Sequence, residues 1–124
     1  MKSDKKGIRR ICGALVYSYN GFKAAFKSEA AFRQDILFCL LCGVSLLFLP
    51  FSAVETALLS FALFFILFAE LVNTAIETIV DRIGDEYNEL SGKAKDIGSL
   101  LVLLSFINFF ITFGIFLFPL LTTD

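Results

Sequence analysis

The chain contains no histidine and no tryptophan, two prolines and three cysteines. Without histidine, the commonest general base and metal ligand is excluded. Acid–base chemistry then falls to carboxylates, lysine, tyrosine or cysteine. Cys12, Cys39 and Cys42 are an odd number, two of them inside an apolar run, which argues against a disulfide framework. Cys39 and Cys42 form a CxxC, but no second pair and no histidine accompany it. They read as small apolar fillers on one helical turn, not as a metal or redox site. Basic charge is missing over long stretches. None of the eleven Lys and Arg lies in residues 34–81 and none follows Lys95, whereas eight fall between Lys2 and Arg33.

What the chain has instead is apolar length. Its 124 residues make one domain at most. Hydrophobic residues make up 57% of it, with a mean hydropathy of +0.79, too apolar for a soluble domain of this size. Sixteen phenylalanines supply most of the aromatic content. The first apolar run begins only at Ile36, after a polar, basic segment, so no cleavable leader is expected.

Residues 70–96 read ELVNTAIETIVDRIGDEYNELSGKAKD, between the apolar runs 57–69 and 97–121. Acids within such runs are costly in lipid, and function is the first candidate to offset that cost. Glu70, Asn73, Glu77 and Asp81 follow a spacing that puts them on one helical face, with Thr74 at its border. Two readings compete: a stripe satisfied by hydrogen bonds to neighbouring helices, and a metal or proton-transfer site, since hard cations want convergent oxygens.

Around this stretch the chain reads as all-α. Residues 1–7 are a short, charged, mobile lead-in. Over residues 8–28 the apolar Ile8, Ile11, Leu15, Tyr19, Phe22 and Phe26 recur at helical spacing, with Arg9, Arg10, Lys23 and Lys27 on other faces. This predicts an amphipathic helix in the membrane interface, bent or broken at Asn20-Gly21. Its basic charge, lacking aromatic interleaving or a reader motif, does not indicate nucleic acid. Three spans are expected, over about residues 30–50, 55–82 and 92–121. The first would continue helical from EAAFRQD, carrying Glu29 on a rigid extension. In the second, Glu70 falls roughly 20 Å from the outer end of a core about 30 Å thick, inside the inner leaflet. Ser91 is the expected N-cap of the third. The basic residues then place the N-terminus and the loop between spans two and three in the cytoplasm, and the C-terminus outside.

On the cytoplasmic side the sequence gathers Arg10, Glu29, Glu77, Asp81, Glu86, Glu89, Lys95 and Asp96. Asp81 reads equally as part of a site and as a cap or partner of Arg82. Acids with a few bases at a membrane surface suit a magnesium-nucleotide complex. The SGK of residues 91–93 resembles the tail of a Walker A loop, but its upstream glycine is replaced by Tyr87. Protein-kinase signatures are absent as well. Glu70 lies deeper than the other acids, where a lipid hydroxyl could give it a proton.

The segment ELVNTAIETIVDRIGDEYNELSGKAKDIGS resembles the signature of the prokaryotic diacylglycerol kinase family, and EAAFRQD resembles that family's other marker. The resemblance covers nearly the whole chain. It implies a small integral enzyme of the bacterial inner membrane, a homotrimer that transfers the γ-phosphate of MgATP to diacylglycerol. By the same resemblance Glu70 is the catalytic base, and Glu29 and Glu77 bind magnesium. Nucleotide contacts fall on Arg10, Tyr17, Glu29, Glu77, Glu86, Tyr87, Asn88, Lys95 and Asp96. Lipid contacts fall on Arg10, Lys23, Ala31, Phe32, Arg33, Gln34, Asp35, Glu70 and Ser99. Asn73 orients Glu70 or Glu77. Asn88 departs from relatives that often carry histidine there, so its contact is expected to be weaker or made by backbone. The surface helix of one subunit could serve the Glu70 of a neighbour. Two alternatives remain open: an undecaprenol kinase with the same catalytic parts, and an oligomeric channel or proton-transfer subunit lined by Glu70, Asn73 and Glu77.

Overall fold

A computed structural model describes residues 6–123; Met1–Lys5 of the expected lead-in and Asp124 lie outside the described residues. Among those residues the chain forms four helices: α1 (Ile8–Ser28), α2 (Ala30–Leu46), α3 (Ala53–Ile83) and α4 (Glu89–Thr122). α3 is central. It packs on α4 along one side and on α2 along another, while α1 packs chiefly on α2.

Local chemistry sets the helix ends. Ser52 opens α3 through a capping box: its hydroxyl accepts from the Glu55 N–H at 3.1 Å, and the Glu55 carboxylate accepts from the Ser52 N–H at 2.9 Å. α3 therefore begins at Ala53, two residues ahead of the start expected at about residue 55. Asn88, not Ser91, caps α4, its side-chain oxygen accepting from the N–H groups of Leu90 and Ser91 at 2.9 and 3.2 Å. α1 runs unbroken through Asn20-Gly21. The break comes at Glu29, which is extended (φ −115°, ψ 106°) and joins α1 to α2 as a hinge. The expected helical extension forms from Ala30 onward, and Glu29 stands at its N-cap rather than within it. Arg33 fixes the hinge by donating to the Phe26 and Lys27 carbonyls at 2.5 and 3.2 Å, a cation placed on the open C-terminal carbonyls of α1. Phe32, 2% exposed, packs edge-on against Phe22 beneath the same joint.

The apolar core occupies the half of the bundle nearer the α2–α3 turn. Leu46, Leu59, Leu63, Ile66 and Phe109 are buried there, with Phe38, Cys39, Cys42, Phe51 and Phe113 against them. Phe38 meets Phe109 edge-on, and Phe51 meets Phe113 likewise. Cys39 and Cys42 are free thiols within this packing. Outward, the helices remain apolar: Phe48, Phe61, Phe64 and Phe118 are all more than half exposed. Two helices, α3 and α4, are long and apolar enough to cross a membrane. α3 is about 46 Å long and α4 about 51 Å, so each outruns a hydrocarbon core of about 30 Å. α2 is about 26 Å long and carries Arg33 and Asp35 in its first turns.

Candidate active site

The apolar packing gives out toward the C-terminal end of α3, and the acids begin there. Glu70 is buried, 5% exposed, just after the buried Ala69. Asp35, 9% exposed, reaches it from α2, its carboxyl within hydrogen-bonding reach of Glu70. Glu77 and Glu29 are half-buried and close enough for their charges to act on Glu70. α2, α3 and the α1–α2 hinge thus set Asp35, Glu77 and Glu29 around Glu70 within electrostatic range.

This cluster holds several polar atoms without partners. Among the described residues, Asp35 Oδ2, Asn73 Oδ1 and Thr74 Oγ1 are buried without a hydrogen-bond partner. Buried polar atoms left unpaired are costly. Within the stripe, Asn73 Nδ2 donates to Glu77 Oε1 at 3.2 Å. Of the two orientations expected for Asn73, the structure adopts the one toward Glu77. Gly98 of α4 explains how Asn73 fits: a Cβ there would strike Asn73 Oδ1. The sequence reading missed Gly98; its only signal was a glycine one residue before Ser99.

Nearer water a second group forms. Lys95 of α4 donates to Asp81 Oδ1 at 2.7 Å, closing the end of α3 onto α4. Asp81 thus pairs with Lys95 and not with Arg82. A cleft of about 300 Å³ opens beside this pair, lined by Asp81, Asp85, Glu86, Tyr87, Asn88, Ser91 and Lys95. Another, of about 500 Å³, separates Ser18, Phe22 and Ala25 of α1 from Leu71, Thr74 and Thr78 of α3.

The other predicted site residues are more dispersed. Arg10, Tyr17 and Lys23 stand exposed along α1. Ala31, Arg33 and Gln34 are exposed on α2, while Phe32 is enclosed by protein. Glu86, Tyr87, Asn88 and Asp96 are exposed around the α3–α4 connection, and Ser99 is exposed on α4. The Asn88 side-chain oxygen is engaged in capping.

Comparison with known proteins decides the family. The model of the prokaryotic diacylglycerol kinase family matches residues 16–117. The chain belongs to the prokaryotic diacylglycerol kinase family. It is 44% identical over 117 residues to a diacylglycerol kinase of Escherichia coli K12, covering 94% of this chain and 96% of that one. A diacylglycerol kinase of Haemophilus influenzae is 41% identical over 100 residues, covering 80% of this chain and 84% of the other. One of Helicobacter pylori is 37% identical over 115 residues, covering 93% and 90%. Within this kinase family member, both acid groups described above lie inside the matched segment.

A kinase of this family implies a nucleotide and a divalent metal. Among the described residues no three His, Cys, Asp or Glu side chains converge as a preformed cage. Glu29 and Glu77 nonetheless offer hard carboxylate oxygens, one of them oriented by Asn73. That set fits magnesium, which takes one or two carboxylates and leaves its other positions to phosphate and water.

Proposed function

We propose that the protein is a diacylglycerol kinase of the bacterial inner membrane, transferring the γ-phosphate of MgATP to diacylglycerol to give phosphatidic acid. We read α2, α3 and α4 as three spans of one membrane domain, α1 as an interfacial helix, and the working form as a homotrimer. The N-terminus and the α3–α4 connection are cytoplasmic and the C-terminus lies outside.

The observation that carries this reading is the buried pair of Glu70 and Asp35, set among polar atoms that lack hydrogen-bond partners. A lipid hydroxyl is a donor of the right kind. Glu70 takes its proton as the oxygen bonds to the γ-phosphorus, and ADP departs. Asp35 holds the hydroxyl end of the lipid beside Glu70. Phe32 closes the joint that sets Asp35 in place, whereas Ala31, Arg33, Gln34, Lys23 and Ser99 meet lipid from the surface. Magnesium, when bound at Glu29 and Glu77, supplies charge neutralisation across the phosphates. Lys95 and Arg10 take remaining phosphate charge, and Tyr17, Glu86, Tyr87, Asn88 and Asp96 contact the rest of the nucleotide. A channel lined by the stripe would leave the Lys95 cleft without a task.

The test is ATP-dependent phosphate transfer by purified protein in mixed micelles, with diacylglycerol and undecaprenol offered separately. Preference for diacylglycerol is expected. Preference for undecaprenol would overturn the substrate and keep the chemistry. No transfer to either by an intact oligomer with magnesium present would favour the channel.

A further inference from the structure

The ion pair between Lys95 and Asp81 is open to water, its side chains 42% and 64% exposed. Pairs of this kind add little to stability. Its location carries more weight. Asp81 follows Glu77 by four residues and shares its face of α3. An ammonium arriving from α4 therefore meets two carboxylates one turn apart. Glu77 is close enough for its charge to act on Lys95, yet the bond is made to Asp81. Glu77 is left with the Asn73 amide, a neutral partner that orients the carboxylate without cancelling its charge. Were Lys95 to settle on Glu77, it would occupy the lone pairs a cation needs.

We infer that Asp81 is a positioning residue that parks Lys95 one turn along α3, keeping the ammonium off Glu77 and leaving that carboxylate open to a divalent cation. The inference rests on the proposed reading of Glu77 as a metal ligand. It assigns Asp81 a role that neither Arg82 nor helix capping supplies. The parked ammonium keeps two of its three hydrogens for phosphate.

The experiment is a double-mutant cycle on Mn²⁺ binding, read by loss of the free Mn²⁺ resonance in detergent-solubilised full-length protein. Asp81→Asn is expected to weaken Mn²⁺ binding about tenfold, the size typical of a lost supporting partner. Asp81→Glu should restore it. Lys95→Gln alone should leave binding near that of the unsubstituted protein, and Lys95→Gln should rescue Asp81→Asn. Strictly additive effects would mean a through-space charge and overturn the inference. So would unchanged binding in Asp81→Asn when Glu77→Gln weakens it, and in that case the inference alone falls. If the unsubstituted protein retains no Mn²⁺, or Glu77→Gln retains as much, the reading of Glu77 fails and takes the inference with it.

Discussion

Gly98 and Glu70 show how differently two residues can matter at one site. A side chain at 98 would collide with Asn73 Oδ1 and meet Ile76 Cδ1 at 3.5 Å. Gly98→Ala therefore has to push α4 away or turn the amide. The expected cost is about 1–3 kcal/mol, as for other overpacked positions. Denaturant unfolding in micelles measures it, and an unchanged midpoint would mean the contact is absorbed. The magnesium requirement should rise as well, because the displaced amide no longer orients Glu77. Glu70→Gln works through chemistry alone: it keeps the shape and removes a basic oxygen. Turnover should fall by about 10²–10⁴-fold, the usual worth of a general base. Nucleotide affinity should barely move, since the lost interaction belongs to the transition state. Equilibrium binding of a fluorescent ATP analogue beside the rate separates the two. Lost binding with intact turnover at saturation would remove Glu70 from the role of base.

Helix ends carry the next level of control. The capping box at Ser52 lies at the opposite end of α3 from the acids, so Ser52→Ala should lower stability by about 1 kcal/mol and leave the transfer rate unchanged. A thermal unfolding series with a parallel assay checks both. The stripe of Glu70, Asn73 and Glu77 on one face of α3 was read from the sequence, whereas the Ser52-x-x-Glu55 pattern was present but not read as a cap. Periodicity is local, and so is capping. The joint at Glu29 falls between the helices expected over residues 8–28 and 30–50; what makes the turn was not legible, because EAAFRQD holds no glycine or proline. What turns the chain is tertiary: Phe32 packs under Phe22, and Arg33 closes the end of α1. Spacing alone likewise could not pair Lys95 with Asp81, fourteen residues apart, or bring Asp35 to Glu70. Those partners are set by how α2 and α4 pack on α3. The family motif made the site residues nameable in advance, but not which of them would touch.

At the scale of the whole molecule, one chain leaves much of its own surface apolar and its polar stripe only half-covered. Glu77 and Asn73 are half-buried, and the side chains on the outward faces of the helices stand exposed. Lipid can cover the phenylalanines, but it cannot satisfy carboxylates. Neighbouring copies can. α1 packs chiefly on α2 while Lys95 lies on α4, so Arg10 and Tyr17 are free to face another subunit's cleft. In a cyclic trimer each interface is heterologous, and one subunit's α1 would meet its neighbour's α3. Mixing two inactive variants tests this. Glu70→Gln subunits keep an intact α1, and Arg10→Ala subunits keep an intact Glu70. If sites are shared, trimers reassembled at equal ratio recover about a quarter of full activity, because each site draws at random on two subunits. If each site is built within one chain, no mixture recovers activity, and the arginine that serves a given Glu70 is its own.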